Sequence, residues 1–547
     1  NGPLACACAA RLPDGSTRLY LAIHHAIVDG VSWRILLDDL DTAYRAACER
    51  TPVRLSQPGL RADAWAARLA RAATEPVSPF AAEAAYWAGT AQGDDIAPDH
   101  PDAAATNADA AVVVQTIDAT LTRAALTDAH AAYRTQTIEL LGAALALALA
   151  GARGAASCRV ELEGHGREAL FDDADASRTI GWLTSHYPVT LPVAATARDT
   201  LCAVKDTLRA VPHKGLGFGV LAHYGDAATR AALAAVPRPR VTFNYLGQFD
   251  APRDATLVPR FGGTGVERDP RGPLGNTLAI HAYLDTDGDG ARTLKVHWVY
   301  GAPQFERATI DAFAERFATA LRELVDACVS RVAHRGAGAT PGDFPLAQAA
   351  GLTQAAIERA PLDWCAIDDV YPLSPMQQGI LFHALFAPGH ASYVNQLVAT
   401  ATALDADRLA AAFDASVARH DILRTSVMPD ETAPLQFVHR HARMPVEQLD
   451  WRTRGDTLDA DFDAWLAADR TRGFDWRAPP LMRLTLIRVT DDAWRVVWTR
   501  HHVLLDGCST ARLLADGLRD YRDPDAVSPV ASRPALRYRD FIAWLGT

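Results

Sequence analysis

The chain has 547 residues, a formal net charge of -11 and an isoelectric point near 5.9. Hydrophobic residues make up 49% of it and charged residues 22%, which is typical of folded proteins and excludes a largely disordered chain. The acidic balance argues against a nucleic-acid scaffold, because no basic stripe is available to neutralise phosphates. The length predicts roughly two to four compact units.

Eight cysteines are spread along the chain without CxxC pairs, so neither a zinc site nor a disulfide framework is expected. The start shows no signal-peptide pattern, and the longest Ala/Leu run, residues 140–150, is too short to span a bilayer. We therefore expect a cytoplasmic protein with free thiols. A strand-like segment at one edge and a helical pattern at the other predict a fragment of a longer polypeptide.

The first predicted elements are a strand, a loop and a helix in residues 19–37. An apolar strand leads into His24 and His25, and three residues later Asp29 and Gly30 precede an amphipathic helix. The serine two residues after the glycine lies where a helix N-cap is expected.

The middle of the chain mixes helices with separate strands. The predicted helices are 121–133, 137–150, 374–385 and 405–419, and the predicted strands are 157–163, 240–246, 293–300 and 481–488. Residues 336–366 include a stretch rich in Gly, Pro and Ala and are interpreted as a linker. Helices combined with strands that are largely outside βαβ units favour an α+β fold.

The strand, loop and helix pattern recurs in residues 494–514. There His501 and His502 end an apolar strand, and Asp506 and Gly507 precede the helix, again with a serine at the expected N-cap. Such a long-range repeat of a short motif in one structural setting indicates two related units.

Two adjacent histidines at the end of a strand indicate that only one of the two imidazoles takes part in the chemistry. Neighbouring strand side chains point to opposite faces, so the two rings diverge and a shared metal ion is not expected. An imidazole suits proton transfer near neutral pH. Asp29 and Asp506 are expected to hold the loop through an arginine pair rather than to act in catalysis. The alternative, two satisfied core histidines, is disfavoured by the recurrence of the motif.

The segments around the first copy resemble the epimerisation branch of the condensation superfamily of nonribosomal peptide synthetases. Residues 161–168 resemble its EGHGRE segment, and residues 178–189 resemble RTxGWFTxxYPV with Leu183 in place of Phe. Residues 243–248 resemble its FNYLGQ segment, and residues 340–346 resemble the tail that closes such domains.

The second copy resembles the condensation branch of the same superfamily. Residues 371–383 are similar to the opening of a condensation domain, of the kind that follows an epimerase and takes a D-configured donor. Residues 419–425 resemble RHExLRT with Asp421 for Glu, and residues 501–509 resemble the core motif with Cys508 for Trp.

The resemblance implies an α+β, two-lobed fold similar to chloramphenicol acetyltransferase. It predicts an epimerisation domain in residues 1–335 without its amino-terminal part, a linker in 336–366, and the N-terminal lobe of a condensation domain in 367–547 without the C-terminal lobe. Because the family's active site lies between the lobes, we expect the isolated chain to show little activity.

The substrate implied by the resemblance is an aminoacyl or peptidyl thioester on the 4'-phosphopantetheine arm of a carrier protein. The expected partners are carrier-protein domains in the same polypeptide or assembly line, with no nucleic acid, no membrane, no metal and no directly bound cofactor. The first domain would convert the Cα from L to D, and the second would join the D donor to an acceptor amine.

The family's motifs suggest a role for each matching residue. His25 and Glu163 match the catalytic positions of the epimerase, where inversion needs proton carriers on opposite faces of the carbon. Asn244 and Tyr245 are expected to orient the arm or polarise the carbonyl, with a buried tyrosine bonded to backbone as the alternative. His502 is expected either to deprotonate the acceptor amine or only to position it.

The remaining motif residues are expected to hold the geometry of the two sites, and they are His24, Asp29, Gly30, His165, Arg424, His501, Asp506 and Gly507. Two other functions are consistent with the fold: a non-catalytic platform that docks carrier proteins, and a free-standing acyltransferase. The EGHGRE and FNYLGQ segments disfavour the acyltransferase, and intact His25, Glu163 and Tyr245 disfavour the platform for the first domain.

Overall fold

The computed structural model describes residues 2–75, 77–151, 154–248, 256–257, 268–286, 290–386, 393–428, 434–523 and 536–546. The chain folds into two compact units, which we call unit 1 (Asn1–His334) and unit 2 (Arg335–Thr547). The division falls one residue before the expected end of the first domain. Over the described ranges, no helix is long and apolar enough to cross a membrane.

Unit 1 combines eight strands with nine helices in its described part. The strands are β1 (Ala5–Arg11), β2 (Thr17–Ile23), β3 (Ala110–Ile117), β4 (Ser157–Gly164), β5 (Ser185–Pro192), β6 (Val241–Gln248), β7 (Leu278–Thr286) and β8 (Arg292–Gly301). The helices are α1 (Gly30–Glu49), α2 (Ala62–Ala72), α3 (Glu83–Gly89), α4 (Ala119–Leu126), α5 (Thr137–Leu149), α6 (Ala197–Arg209), α7 (Leu216–Tyr224), α8 (Ala227–Ala234) and α9 (Arg307–Arg335).

These strands form two sheets. Strands β1 and β2 make an antiparallel pair that leads through the His24-His25 loop into α1. The other six form a mixed sheet in the order β3-β8-β7-β6-β4-β5, in which β6 is parallel to both β4 and β7 and the remaining pairs are antiparallel. Separate strand pairs and mixed pairing agree with the expected α+β class.

The core of unit 1 lies on one face of the six-stranded sheet. Helix α5 is built from Ala and Leu, begins with a capping box between Gln136 and Glu139, and is buried almost throughout. Phe243, Ile280 and Trp298 are register neighbours on β6, β7 and β8, and all three are buried in the same core. Alternation along the strands therefore places the intervening polar residues on the opposite face.

One predicted helix of unit 1 is wrong in length. The pattern of residues 121–133 was expected to be a single helix, but α4 ends at Leu126 and a one-turn 3-10 helix follows at His130–Ala132. The hydroxyl of Thr127 donates to the carbonyl of Arg123 and contacts the carboxylate of Asp128, which favours a turn over another helical step.

Unit 2 contains seven strands and seven helices in its described part. The strands are β9 (Ile367–Pro372), β10 (Val394–Thr402), β11 (Thr425–Met428), β12 (Leu435–His439), β13 (Val446–Asp450), β14 (Met482–Arg488) and β15 (Ala493–His501). The helices are α10 (Pro345–Ala349), α11 (Gln354–Arg359), α12 (Pro375–Phe386), α13 (Ala406–Arg419), α14 (Leu458–Arg472), α15 (Gly507–Arg522) and α16 (Tyr538–Leu545). They form a sheet β10-β15-β14-β13 and a sheet β11-β12-β9.

Residues 336–366, the predicted linker, are folded in the structure. The segment contains α10 and α11 and belongs to unit 2, where Phe344, Ile357 and Trp364 are buried with Phe437 in one hydrophobic cluster. A Gly/Pro-rich composition is found at breaks between short helices as well as in flexible linkers. The apolar residues between those breaks are buried, and they make this segment part of the folded unit.

The helix caps after the two motifs also differ from the expectation. Asp29 and Asp506, not the serines, are the N-caps of α1 and α15. Each aspartate accepts a hydrogen bond from the backbone N–H three residues later, at 2.8 Å from Ser32 and 2.7 Å from Ser509. A carboxylate also complements the positive end of the helix dipole.

Candidate functional site

The loop after β2 separates the two histidines of the first motif. The ring of His24 turns back on the loop, where Nδ1 accepts a hydrogen bond of 3.1 Å from the N–H of Ala26. The ring of His25 is exposed and lies 5.3 Å from the ring of Trp182 between centroids. Within the described residues no hydrogen bond to the His25 ring is present. His24 thus shapes the turn, and His25 faces open space.

Asp29 ties this loop to the segment after β4. Its carboxylate is buried and accepts hydrogen bonds from both terminal nitrogens of Arg167, at 2.8 and 2.9 Å, and from the N–H of Leu183 at 3.0 Å. Although burial opposes ionisation, the hydrogen bonds from Arg167, Ser32 and Leu183 hold the pKa of Asp29 below its usual range. A carboxylate with every oxygen engaged in this way holds geometry rather than transferring protons.

The EGHGRE segment folds tightly around the same ion pair. Gly166 has φ +66, and a Cβ there would lie 1.7 Å from the carbonyl oxygen of Leu183, so only glycine fits. Nδ1 of His165 accepts from the N–H of Arg167 at 3.0 Å, and its Nε2 lies 3.2 Å from Glu168. The structure therefore places His165 in the loop framework.

Glu163 lies at the end of β4 on the polar face of the six-stranded sheet. The amide nitrogen of Asn244 on β6 donates a short hydrogen bond to its carboxylate. Burial raises the pKa of Glu163 above its ordinary value, while the charges of His186 and His25 act in the opposite direction. Glu163 ends β4 and His25 lies in the loop after β2, and the ion pair between Asp29 and Arg167 ties these two segments together.

A second, fully paired carboxylate lies beside Glu163. Glu161 precedes it by two residues on the same strand face and accepts two hydrogen bonds of 3.0 Å from Arg238. His186 contacts it through Nδ1 at 3.6 Å. Although burial opposes ionisation, these contacts lower the pKa of Glu161 to about 2. Glu161 is therefore a fixed anion, unlike Glu163.

Tyr245 is not part of this group. It follows Asn244 on β6 and so points to the other face of the sheet, where it packs against the core of unit 1. Burial raises the pKa of its phenol, and interaction with the side chain of Thr137 at the start of α5 acts in the opposite direction. Tyr245 is partly buried against the core, and its expected role toward the substrate arm stays a prediction.

In unit 2 the first histidine of the motif is buried instead of exposed. His501 is 4% exposed and packs edge-on against Trp476, with ring centroids 4.6 Å apart. Burial, with a smaller contribution from the charge of His502, lowers the pKa of His501 to about 4. Its Nδ1 accepts a hydrogen bond of 3.2 Å from the N–H of Val503, as a neutral ring does.

His502 has a defined tautomer. Its Nδ1 lies 2.8 Å from the carbonyl oxygen of Leu505, and because a carbonyl can only accept, Nδ1 carries the hydrogen. The neutral ring then presents an unprotonated Nε2. The ring of Tyr393 stacks on that of His502 at 6.4 Å, and the carbonyl of Tyr393 accepts the backbone N–H of His502, which fixes its orientation.

The other expected residues of unit 2 do not form an arginine pair. Asp506 is exposed and caps α15, and no arginine contacts its carboxylate among the residues that the structure describes. Arg424 is buried, 2.6 Å from Asp421 and bonded to the carbonyl of His439. Gly507 begins α15, and a Cβ on it would meet no atom within 4 Å. The expected Asp506–arginine pair is thus wrong for the described part of unit 2.

Comparison with known proteins assigns the chain to a family. Residues 1–336 and 367–547 match the family model described as "Condensation domain". The chain belongs to the condensation domain family. This confirms the resemblance found in the motifs and the mixed α/β condensation-domain fold. The matched ranges leave out the segment that contains α10 and α11.

Two relatives of this condensation-family chain are components of the linear gramicidin synthase of Brevibacillus parabrevis. The chain is 38% identical to one of them over 96% of its own length and 36% identical to the other over 100%. It spans only 7% and 10% of those two proteins. Among solved structures, the epimerization domain from the third module of tyrocidine synthetase B is similar, with a TM-score of 0.55 and 30% identity, covering 60% of this chain and 73% of that one.

Sequence reasoning missed three residues that shape the site of this condensation-family chain. They are Glu161, His186 and Arg238. The two-residue spacing of Glu161 and Glu163 on a predicted strand was a usable signal for a shared face. The positions of His186 and Arg238 depend on which strands pair with β4, and no local pattern specifies that pairing.

Proposed function

We propose that unit 1 inverts the Cα of an aminoacyl or peptidyl thioester held on the pantetheine arm of a carrier protein, and that unit 2 takes the D product as donor for peptide-bond formation. The observation that carries the proposal is the buried Asp29–Arg167 ion pair, which ties the loop of His25 to the segment that follows Glu163 on β4. The similarity to a solved epimerization domain and to components of a peptide synthase supports the same reaction.

Inversion at a carbon next to a thioester needs two proton carriers. One group takes the Cα proton, and the electrons of the C–H bond move into an enolate whose charge rests mainly on the thioester oxygen. A second group returns a proton to the opposite face, and the enolate electrons form the new C–H bond. His25 lies in the loop after β2 and Glu163 at the end of β4, and two groups from separate segments suit the two faces of one substrate carbon.

The environment of Glu163 suits this role better than that of its neighbour. Burial makes the Glu163 carboxylate easier to protonate, whereas Glu161 is held as an anion by Arg238. A group that transfers protons in both directions works best when its pKa lies near the operating pH. In this proposal Asn244 orients the Glu163 carboxylate through its amide, and the substrate arm is held by other groups.

The region beside His25 has space for a narrow substrate arm. A Cβ on Gly30 would meet no atom within 4 Å, and the indole of Trp182 is 55% exposed. An aliphatic arm ending in a thioester can reach an exposed imidazole without displacing packed side chains. The arm and its carrier protein are substrate and partner in this proposal, and no further cofactor is required.

In unit 2 the acceptor amine attacks the donor thioester. The carbonyl of Leu505 fixes Nδ1–H of His502, so Nε2 is the atom that faces the amine as base or as hydrogen-bond acceptor. Epimerisation alone yields a mixture of L and D forms, because the two differ little in free energy on a flexible arm. Direction then comes from a condensation step that accepts the D form.

The proposal is tested by proton exchange in the intact parent protein with a loaded carrier domain. Incorporation of solvent deuterium at Cα, measured by mass spectrometry of the released substrate, is expected to fall at least about a hundredfold in His25→Ala and in Glu163→Gln. His502→Ala is expected to lower peptide-bond formation instead. His223→Gln, a change at an exposed histidine of the same unit, serves as the matched control.

Undiminished exchange in the His25→Ala, Glu163→Gln double variant would rule out this assignment of the epimerase site. Absence of exchange in the unaltered parent, with the carrier still bound, would favour the non-catalytic docking platform.

A further inference from the structure

The strand next to Glu163 carries a histidine that the reaction above does not use. His186 on β5 is the register partner of Glu163 on β4 in an antiparallel pair. Directly opposed residues in such a pair present their side chains on the same face of the sheet. Glu161, two residues before Glu163, shares that face. The His186 ring therefore faces two carboxylates of one strand.

Within the described part of the chain, Glu161 has a permanent cation as its partner and Glu163 does not. Arg238 donates two hydrogen bonds of 3.0 Å to Glu161, and the hydroxyl of Thr242 adds a contact of 3.4 Å. Glu161 in turn lies 3.6 Å from Nδ1 of His186. Glu163 has the amide of Asn244 as its hydrogen-bond donor, and an amide carries no net charge.

We propose that His186 is a positioning residue for Glu163: Glu161, anchored by Arg238, holds its ring as an imidazolium, and that cation keeps the partly buried Glu163 carboxylate charged and ready to accept a proton. The inference rests on the proposed function of unit 1. It assigns to His186 an action through Glu163 and no contact with the substrate.

The charges around the pair support this arrangement. Interaction with Glu161 raises the pKa of His186 although burial opposes it, and Glu163 contributes in the same direction. Among the described residues, the groups with the largest effect on Glu163 are His186, Glu161, His25 and Asn244, and of these the two histidines can carry positive charge. An opposite charge within about 4–6 Å lowers the pKa of a carboxylate by roughly 1–3 units.

The imidazolium of His186 would offset the effect of burial on the pKa of Glu163. A buried carboxylate without a cation becomes protonated too easily and then cannot accept the Cα proton. His25 cannot serve as a constant cation, because in the proposed reaction it must itself lose and gain a proton. The side chain of His186 is 39% exposed, so its charge is partly solvated and costs little to maintain.

The test is the pH profile of deuterium exchange in the intact parent. In His186→Gln the acid limb of the profile is expected to move up by about one pH unit, because removing a neighbouring cation raises the pKa of Glu163. Exchange should fall about tenfold on the acid side and little on the alkaline side. His186→Lys keeps a positive charge and should move the limb back toward its original position.

The matched control is His297→Gln. His297 lies on β8, separated from β4 by β7 and β6, and its ring is bonded to the hydroxyl of Tyr283. Its replacement should leave the pH profile unchanged. An unchanged profile in His186→Gln would overturn the inference, and so would a uniform loss at all pH values that His186→Lys does not restore.

A second measurement separates this inference from the proposed function. In the 547-residue chain labelled with carbon-13 at the glutamate carboxyls, the signal that disappears in Glu163→Gln reports the titration of Glu163. His186→Gln should move that titration upward even if the parent exchanges no Cα protons. A titration that stays in place would overturn the role of His186 whatever the enzyme's activity.

Discussion

The two copies of the His-His and Asp-Gly motif share a local structure and differ in what surrounds it. Both aspartates cap the following helix, Asp29 for α1 and Asp506 for α15. Asp29 is also buried in an ion pair with Arg167, 138 residues away, whereas Asp506 is exposed. Capping is thus intrinsic to the local sequence, and the ion pair depends on a partner that only unit 1 supplies in the described structure.

The histidines differ in the same way. His24 is exposed, and its counterpart His501 is buried against Trp476. His25 faces open space beside Trp182, while its counterpart His502 is fixed by the carbonyl of Leu505. Two motifs with the same residues therefore need not contribute equally to stability, respond equally to acid or hold their histidines in the same tautomer. Each difference can be tested by making the same substitution in both units.

The largest difference is expected for the aspartates. Asp29→Ala leaves the buried guanidinium of Arg167 unpaired and should lower the free energy of unfolding of unit 1 by about 3–5 kcal/mol. Asp506→Ala removes only a helix cap and should cost unit 2 about 1 kcal/mol. Urea titration followed by hydrogen-exchange mass spectrometry reports each unit separately.

The double variant Asp29→Ala, Arg167→Met provides the control for the buried charge. It should be more stable than the sum of its two single variants, because no unpaired charge remains. Equal losses from Asp29→Ala and Asp506→Ala would show that the ion pair adds nothing beyond the cap.

The next effect is the acid sensitivity of unit 2. The folded-state pKa of His501 is about 4 and its ordinary value is 6.5, so the unfolded chain takes up the proton first. The titration of His501 does not affect the free energy of unfolding of unit 2 above pH 6.5. As the pH falls from 6.5 toward 4, this free energy decreases by about 3 kcal/mol in total. In His501→Gln the free energy of unfolding should depend less on pH across this range.

The matched change in unit 1 is His24→Gln, at an exposed ring whose acceptor the glutamine oxygen can replace. It serves as the exposed-site control for the change at His501. A steep acid transition that survives in His501→Gln would assign the acid sensitivity of unit 2 to other groups.

The smallest effect is expected at the second histidines. His502→Ala removes the hydrogen bond to Leu505 and should cost unit 2 about 1 kcal/mol, whereas His25→Ala should cost unit 1 less because no hydrogen bond to its ring is present among the described residues. Nitrogen-15 NMR of the imidazoles should show His502 protonated at Nδ1 near neutral pH. Protonation at Nε2 instead would contradict the proposed role of that atom as base or acceptor.

Several elements of the fold were predictable because their signals are local. The Ala/Leu pattern predicted helix 137–150, observed as Thr137–Leu149, and apolar strands were placed at 157–163 and 293–300, observed as Ser157–Gly164 and Arg292–Gly301. The two helices inside the predicted linker were not foreseen, because short helices separated by Gly and Pro have the composition of a flexible segment and burial in unit 2 is a tertiary property.

The candidate site was predictable only in part. Motif positions led to His25 and Glu163, but the same reasoning grouped Tyr245 with Asn244, although adjacent residues of a strand point to opposite faces. The core covers one face of the six-stranded sheet, so the site can lie only on the other face. The motif does not specify which face the core covers.

The sequence by itself determined the repeated motif, the family and the order of most helices and strands, because periodicity, caps and motif spacing act over a few residues. Tertiary structure alone decided which distant groups meet: Arg167 with Asp29, His186 with Glu163, and Arg238 with Glu161. The contacts of Glu163 and Glu161 follow from the pairing and register of β4 with β5 and β6, where a shift of one residue would turn every side chain to the other face. The charges that surround Glu161 and Glu163 therefore depend on that register.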